Sequence, residues 1–151
     1  MIECRKKEVF YSGQPEEKIF YFALSPQGWL ALSGEFEKNN YSSLRILDDK
    51  LQIVAEFPFV DYAVWSHDGE FLAIPHSMGA RDQLAISDKF KSTYKIYPVQ
   101  VDGVITWSPD NQYVMFQDRT TIKKLNLSNE EVTLICEDCY SPSWREIPAT
   151  P

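Results

Sequence analysis

The residues best suited to chemistry are few and scattered along the chain. Cys136-Glu137-Asp138-Cys139 sets two thiols at Cys-x-x-Cys spacing, which suits two soft ligands of a zinc ion or a redox dithiol. A structural zinc site needs two further ligands, and no second Cys-x-x-Cys exists. Only Cys4, His67 and His76 could complete one. A thioredoxin-like dithiol opens a helix in a βαβ unit, and no helical period here extends over ten residues. Three cysteines is an odd count, which argues against a disulfide framework. Cys136 and Cys139 are therefore expected to be free thiols at a strand end in a reducing compartment. Metal or redox chemistry at the pair is the alternative, and no cofactor is expected.

The histidines constrain catalysis further. His76 heads the stretch His76-Ser77-Met78-Gly79-Ala80-Arg81-Asp82, read here as a loop. Ser77, His76 and Asp82 have the side chains of a nucleophilic triad, but triads are defined by spatial geometry, which adjacent loop residues seldom achieve. His67 takes the second position of a turn and reads as an exposed turn residue. Asp48-Asp49 and Glu130-Glu131 fall in predicted turns, where charge is solvated. Six glycines in all form no phosphate-cradling loop. No catalytic residue is expected.

The elements carrying these residues follow from an internal repeat. Tyr21 to Leu32, Tyr62 to Ile74 and Val104 to Phe116 each read as strand, turn, strand. Ser25 to Ser66 is 41 positions and Ser66 to Ser108 is 42, a period typical of a four-stranded blade. The turns Ser25-Pro26-Gln27-Gly28, Ser66-His67-Asp68-Gly69 and Ser108-Pro109-Asp110-Asn111 put Ser first and Gly or Asn last. Two more strand-like runs follow each hairpin, as in Ser43–Leu47 and Leu51–Phe57. Aromatic residues at 14% favour pleated strands. The expected fold is all-β, with three tandem four-stranded antiparallel blades at about 20–57, 61–98 and 104–136. They form a single domain, 1–146, ahead of a disordered tail, 147–151. Glu8-Val9-Phe10-Tyr11 reads as a flanking outer strand, and Tyr140-Ser141-Pro142-Ser143-Trp144 as the opening of a fourth repeat.

The repeated Trp-Ser-Pro-Asp-Gly-like turn between apolar strands resembles the TolB-like and WD-repeat-like β-propeller superfamily. Leu24 and Gln27 stand where later repeats carry Trp and Asp, and the Gly-His…Trp-Asp signature of a strict WD repeat is absent. The Gly-x-Ser-x-Gly elbow of the hydrolase found beside some TolB-like propellers is also missing. Closed propellers carry about 4–8 blades, so three leave the ring open. The sequence predicts completion by a second copy or another chain, or an open stack.

The net charge of −7 argues against a nucleic-acid partner, and Arg5-Lys6-Lys7 is flanked by Glu3 and Glu8. No apolar stretch is long enough to span a membrane, and the N-terminus lacks a secretory h-region. A cytoplasmic location is expected. Recognition residues on propellers sit on loops held by the rigid blades. The candidate binding residues are Glu35, Phe36, Glu37, Tyr41, His76, Arg81, Asp82 and Arg119, with no metal site. The expected function is a non-enzymatic protein-binding module. The alternatives are a small acidic inhibitor or immunity-type protein masking a basic partner, and metal or redox activity at Cys136 and Cys139.

Overall fold

The computed structural model describes residues 17–36, 41–77, 82–88 and 93–144. These residues form twelve strands in three separate four-stranded antiparallel sheets and contain no helix. Blade 1 runs β1 (Lys18–Leu24), β2 (Leu30–Glu35), β3 (Ser43–Leu47) and β4 (Ile53–Pro58). Blade 2 runs β5 (Val64–Trp65), β6 (Phe71–Ser77), β7 (Asp82–Asp88) and β8 (Tyr94–Gln100). Blade 3 runs β9 (Ile105–Trp107), β10 (Tyr113–Asp118), β11 (Thr121–Asn126) and β12 (Val132–Glu137). Within each blade every strand pairs with its neighbour in sequence. This is the propeller-blade meander, and the run of three does not close.

The turn between the first two strands of each blade shows why the Ser-led motif recurs. Ser25, Ser66 and Ser108 are buried, and their Oγ atoms accept the N–H of Trp29, Phe71 and Tyr113 at 3.0, 3.0 and 2.9 Å. Gly28 (φ 85°), Gly69 (φ 67°) and Asn111 (φ 58°) take the left-handed position that these residues tolerate. In blades 2 and 3 the serine also donates to Asp68 and Asp110, at 2.6 and 2.5 Å. Those carboxylates in turn accept the N–H of Glu70 and Gln112. Blade 1 has Gln27 instead of an aspartate, and its turn is one residue shorter. Gln27 Nε2 donates across to the Asp68 carbonyl of the next turn.

The hydrogen bonds to Ser108 and the Gln112 N–H hold the Asp110 carboxyl below its ordinary value. At Asp68 burial pushes upward, but the Ser66 and Glu70 hydrogen bonds outweigh it and the net shift is downward. A carboxyl depressed on folding stabilises the chain above its unfolded value, about pH 4, and that contribution is lost as pH falls through the folded value. Thermal melts over an acid pH series should therefore decline less steeply for Asp68→Asn/Asp110→Asn than for the wild type. Parallel curves would refute the assignment.

Side chains alternate between the two faces of each sheet, and the blades pack face to face. Ala31, Leu44, Ile46 and Phe57 of blade 1 meet Trp65, Leu72 and Ile74 of blade 2. Ala73 and Leu84, on the opposite face of blade 2, meet Trp107, Val114 and Phe116 of blade 3. Two repeating side-chain bonds cross these seams. Tyr21 and Tyr62 donate to the carbonyls of Ala63 and Gly103 in the following blade at 2.8 and 2.6 Å. Trp65 and Trp107 donate Nε1–H to the carbonyls of Ala23 and Val64 in the preceding blade at 3.1 and 2.8 Å.

Candidate functional site

Among the described residues, the sequence-predicted binding residues engage separate partners rather than one another. Glu35 was expected in a loop but ends β2, paired with Lys18 at 2.8 Å. Phe36 is not an exposed loop aromatic. It packs on Leu30, Leu32 and Leu47, with the Arg45 guanidinium 4.1 Å from its ring centre. Tyr41 is exposed and leans on Phe59 at 5.1 Å. Glu37 and Arg81 lie outside the described residues, as do Cys4, Arg5-Lys6-Lys7, Glu8–Tyr11 and 147–151.

His76 requires the largest correction. It belongs to β6 rather than a loop, and it is only 8% exposed. Its Nε2 lies 3.1 Å from the Tyr94 hydroxyl, on the blade face turned toward blade 1. Pro75 makes this stretch look like a strand end, because proline cannot donate to a ladder. β5 pairs β6 only as far as Ala73, so the β6 edge beside Pro75 has no ladder to break. Asp82 likewise opens β7.

Asp82 and Asp102 line a cleft of about 590 Å³ with Tyr62, Gly103 and Ile105. Burial first, then the Asp82 carboxylate and Tyr21, push the Tyr62 hydroxyl up to about 12. It stays protonated as a donor to Gly103, which ties blade 2 to blade 3. Arg119 sits in the turn joining β10 to β11 (φ 56°), where its N–H donates to Asp102 at 3.0 Å.

Cys136 and Cys139 are joined as a disulfide with Cα atoms 5.9 Å apart, where free thiols had been expected. Asp138, at φ 54°, turns the chain back so that the two sulfurs meet. Among the described residues no three His, Cys, Asp or Glu side chains are grouped to hold a metal ion. His67 is exposed, but it is not idle: its N–H donates to Asn111 at 2.8 Å, and Nε2 lies 3.2 Å from the Trp107 carbonyl.

The feature that sequence reasoning missed is the difference between the two ends of the blade run. Leu24 pairs with Leu30, Trp65 with Leu72, and Trp107 with Val114. Leu24 is thus the structural equivalent of the two tryptophans. Trp65 and Trp107 are 9% and 2% exposed, because each packs its blade onto the one before. Leu24 is 60% exposed, and Phe22, paired with Leu32, is 72% exposed. Ile53, paired with Leu47, extends this outer face of blade 1 across to β4, and it too is exposed.

At the other end, Trp144 donates Nε1–H to the Thr106 carbonyl of β9 at 3.4 Å. That is the bond by which Trp65 and Trp107 reach the preceding blade. Tyr140–Trp144 form no strand, yet Trp144 holds the place of a fourth repeat, with Tyr113 6.5 Å from its ring. The sequence signal for this was Tyr140-Ser141-Pro142-Ser143-Trp144, read above as the opening of a fourth repeat, with its tryptophan 37 positions after Trp107.

No protein-family model matches the chain, and no curated protein does either. Solved structures do. The β-propeller domain of the trilobed protease from Pyrococcus furiosus, described as having an open velcro topology, superposes with a TM-score of 0.64 at 13% identity. The match covers 78% of this chain and 41% of that one. TolB from Acinetobacter baumannii superposes with a TM-score of 0.63 at 17% identity, over 78% of this chain and 32% of that one. The fold is that of a β-propeller, and the chain spans less than half the length of either structure.

Proposed function

We propose that this chain is a non-enzymatic protein-interaction module whose contact surface is the outer face of blade 1. One observation carries the reading: Phe22 and Leu24 are mostly exposed on the face that the equivalent positions of blades 2 and 3 bury. Contiguous apolar surface of this kind, rimmed by polar residues, marks interaction sites. Arg45 and Glu56, 3.4 Å apart on neighbouring strands, supply polar groups on that face. The absence of catalysis is part of the proposal. It is supported by the commitment of His76 to the seam between blades 1 and 2, and of the Tyr62 hydroxyl to Gly103.

The test is photo-crosslinking in the producing cells. A phenylalanine analogue bearing a photoreactive group at position 22 should yield protein adducts. The same group at Lys50, in an exposed turn on β4's approach, should yield few. Equal yields from both positions would reject this face as the contact surface.

A further inference from the structure

We propose that the Cys136–Cys139 disulfide is a reducible clasp on blade 3. It pins residues 139–144 against the face of that blade turned away from blade 2, and a dithiol reductant that opens it sets the segment free.

One bond recurs in all three blades. Where the chain leaves the fourth strand, a backbone N–H donates to a carbonyl at the head of the third. Phe59 donates to Ser42 at 2.8 Å, Val101 to Asp82 at 3.0 Å and Cys139 to Thr120 at 2.9 Å. What secures the chain at that point differs. In blades 1 and 2 a valine is buried there, Val60 next to Phe59 and Val101 itself, each in the core shared with the following blade. Blade 3 has no following blade among the described residues, and Tyr140, next to Cys139, is exposed. The bridge to Cys136, which β12 pairs with Ile122, stands in place of the buried valine. Such a tie acts by removing freedom from the open chain.

The tied segment reaches across the blade. Val114 and Phe116 face blade 2, so Met115 faces away from it, as does Ile122, the cross-strand partner of Gln117. Both are nevertheless buried. Met115 pairs with Thr106, whose carbonyl accepts the Trp144 Nε1–H at 3.4 Å. The Gln117 side chain, beside Ile122, accepts the Ser141 N–H through Oε1 at 3.4 Å. Residues 139–144 are thus anchored beside both buried side chains. Beyond Cys139 the hold is slight. Both of these bonds are long, and no strand forms. Asp138 and Ser141 take the left-handed conformation, at φ 54° and 57°, which is costly for residues other than glycine. Without the bridge, little keeps the chain on this path.

The bridge is within reach of a reductant, since both cysteines are half-buried and the Glu137 and Asp138 between them are exposed. A thiolate of the dithiol attacks one cysteine sulfur. The S–S bond breaks, a mixed disulfide forms and the other cysteine leaves as a thiolate. The second thiolate of the reductant then closes on its own sulfur and expels the first cysteine. In total two electrons and two protons pass to Cys136 and Cys139, and the dithiol becomes a disulfide. A monothiol is at a disadvantage, because the freed cysteine is held close to the mixed disulfide at high effective concentration and re-forms the bridge.

The full chain is to be compared before and after dithiothreitol under native conditions. Alkylation of the untreated chain after denaturation should spare Cys136 and Cys139, and alkylation of the treated chain should label both. Hydrogen exchange at the Cys139 and Ser141 amides should accelerate on reduction by about 20-fold, the loop-closure entropy of so short a ring. The amides of β10 and β11 should keep their protection. Exchange into oxidised dithiothreitol should restore the slow rate. Cys136→Ser/Cys139→Ser should show the fast rate with or without the dithiol. If that variant fails to fold, reduction of the wild-type chain carries the test by itself. Unchanged exchange at both amides on reduction would overturn the clasp. A pair that alkylation still labels after oxidised dithiothreitol would overturn it too. So would loss of protection throughout β9–β12, because the bridge would then support the blade and not the segment.

Discussion

Trp107→Ala should cost the fold about 3–5 kcal/mol, the range for truncating a buried tryptophan. Trp107 is 2% exposed at the seam between blades 2 and 3, among Ala73, Leu84, Val114 and Phe116. Phe71 stacks on it at 6.4 Å, and its indole N–H is bonded to the Val64 carbonyl at 2.8 Å. Removing the side chain leaves a cavity and orphans that carbonyl. Small domains have about 5–15 kcal/mol of total stability, so the loss is a large share. Stacked repeats hold together through nearest-neighbour seams, which makes the mode of failure specific. Blade 3 should uncouple and unfold at a lower urea concentration than blades 1 and 2. Trp107→Phe keeps most of the ring volume and loses chiefly the hydrogen bond, for about 1–3 kcal/mol. Trp144→Ala, at the half-exposed equivalent site, should fall below both. Urea titrations followed by circular dichroism rank the three. A ranking that puts Trp144 first would break the equivalence of the seams.

The strand–turn–strand repeats were legible because their signal is local. A serine, an aspartate and a left-handed glycine or asparagine satisfy one another within six residues, and no distant partner is needed. β3 spans Ser43–Leu47, as its alternation predicts. The outer face of blade 1 was partly hidden by a single residue of register. Counting forward 41 positions from blade 1 aligns Ala31 with Leu72, but the shorter turn of blade 1 makes Leu30 the equivalent of Leu72. A slip of one residue reverses every side chain in a strand, so counting forward puts Leu30 and Leu32 of β2 on the wrong face, although it does set Leu24 on Trp65. Phe36 was misplaced for a different reason: its partners Arg45 and Leu47 lie on β3, and the sequence between them carries no sign of the contact. His76 was misplaced because Pro75 reads as a break, and only the shortness of β5 makes the proline harmless.

Gly34→Ala is expected to destabilise the chain by about 1–3 kcal/mol, the cost of overpacking a close-packed site. Gly34 is in β2, where β1 crosses it at Ile19 next to the β1 irregularity. A Cβ at position 34 would run into the Lys18 carbonyl oxygen, with the Lys18 carbon at 3.0 Å and the Ile19 Cα at 3.1 Å. All three are backbone atoms, so no side chain can swing aside and β1 itself must move. The opposing effect, reduced freedom of the unfolded chain, gains only about 0.4–1 kcal/mol where alanine fits without strain. The clash therefore decides the sign. Moving Lys18 also pulls on Glu17, whose carboxylate is 9% exposed and bonded to Arg45 across the outer face. An ion pair that is nearly buried is costly to break from one side, which pushes the loss toward the upper end. Hydrogen exchange should report it first in β1, where amides from 18 to 24 lose protection while those of blade 3 keep theirs. Phe22 and Leu24 ride on the same strand, so the variant should also yield fewer adducts from a photoreactive group at position 22 without any change to the apolar side chains. Unaltered exchange in β1 would show that the strand had never depended on the bare position at Gly34.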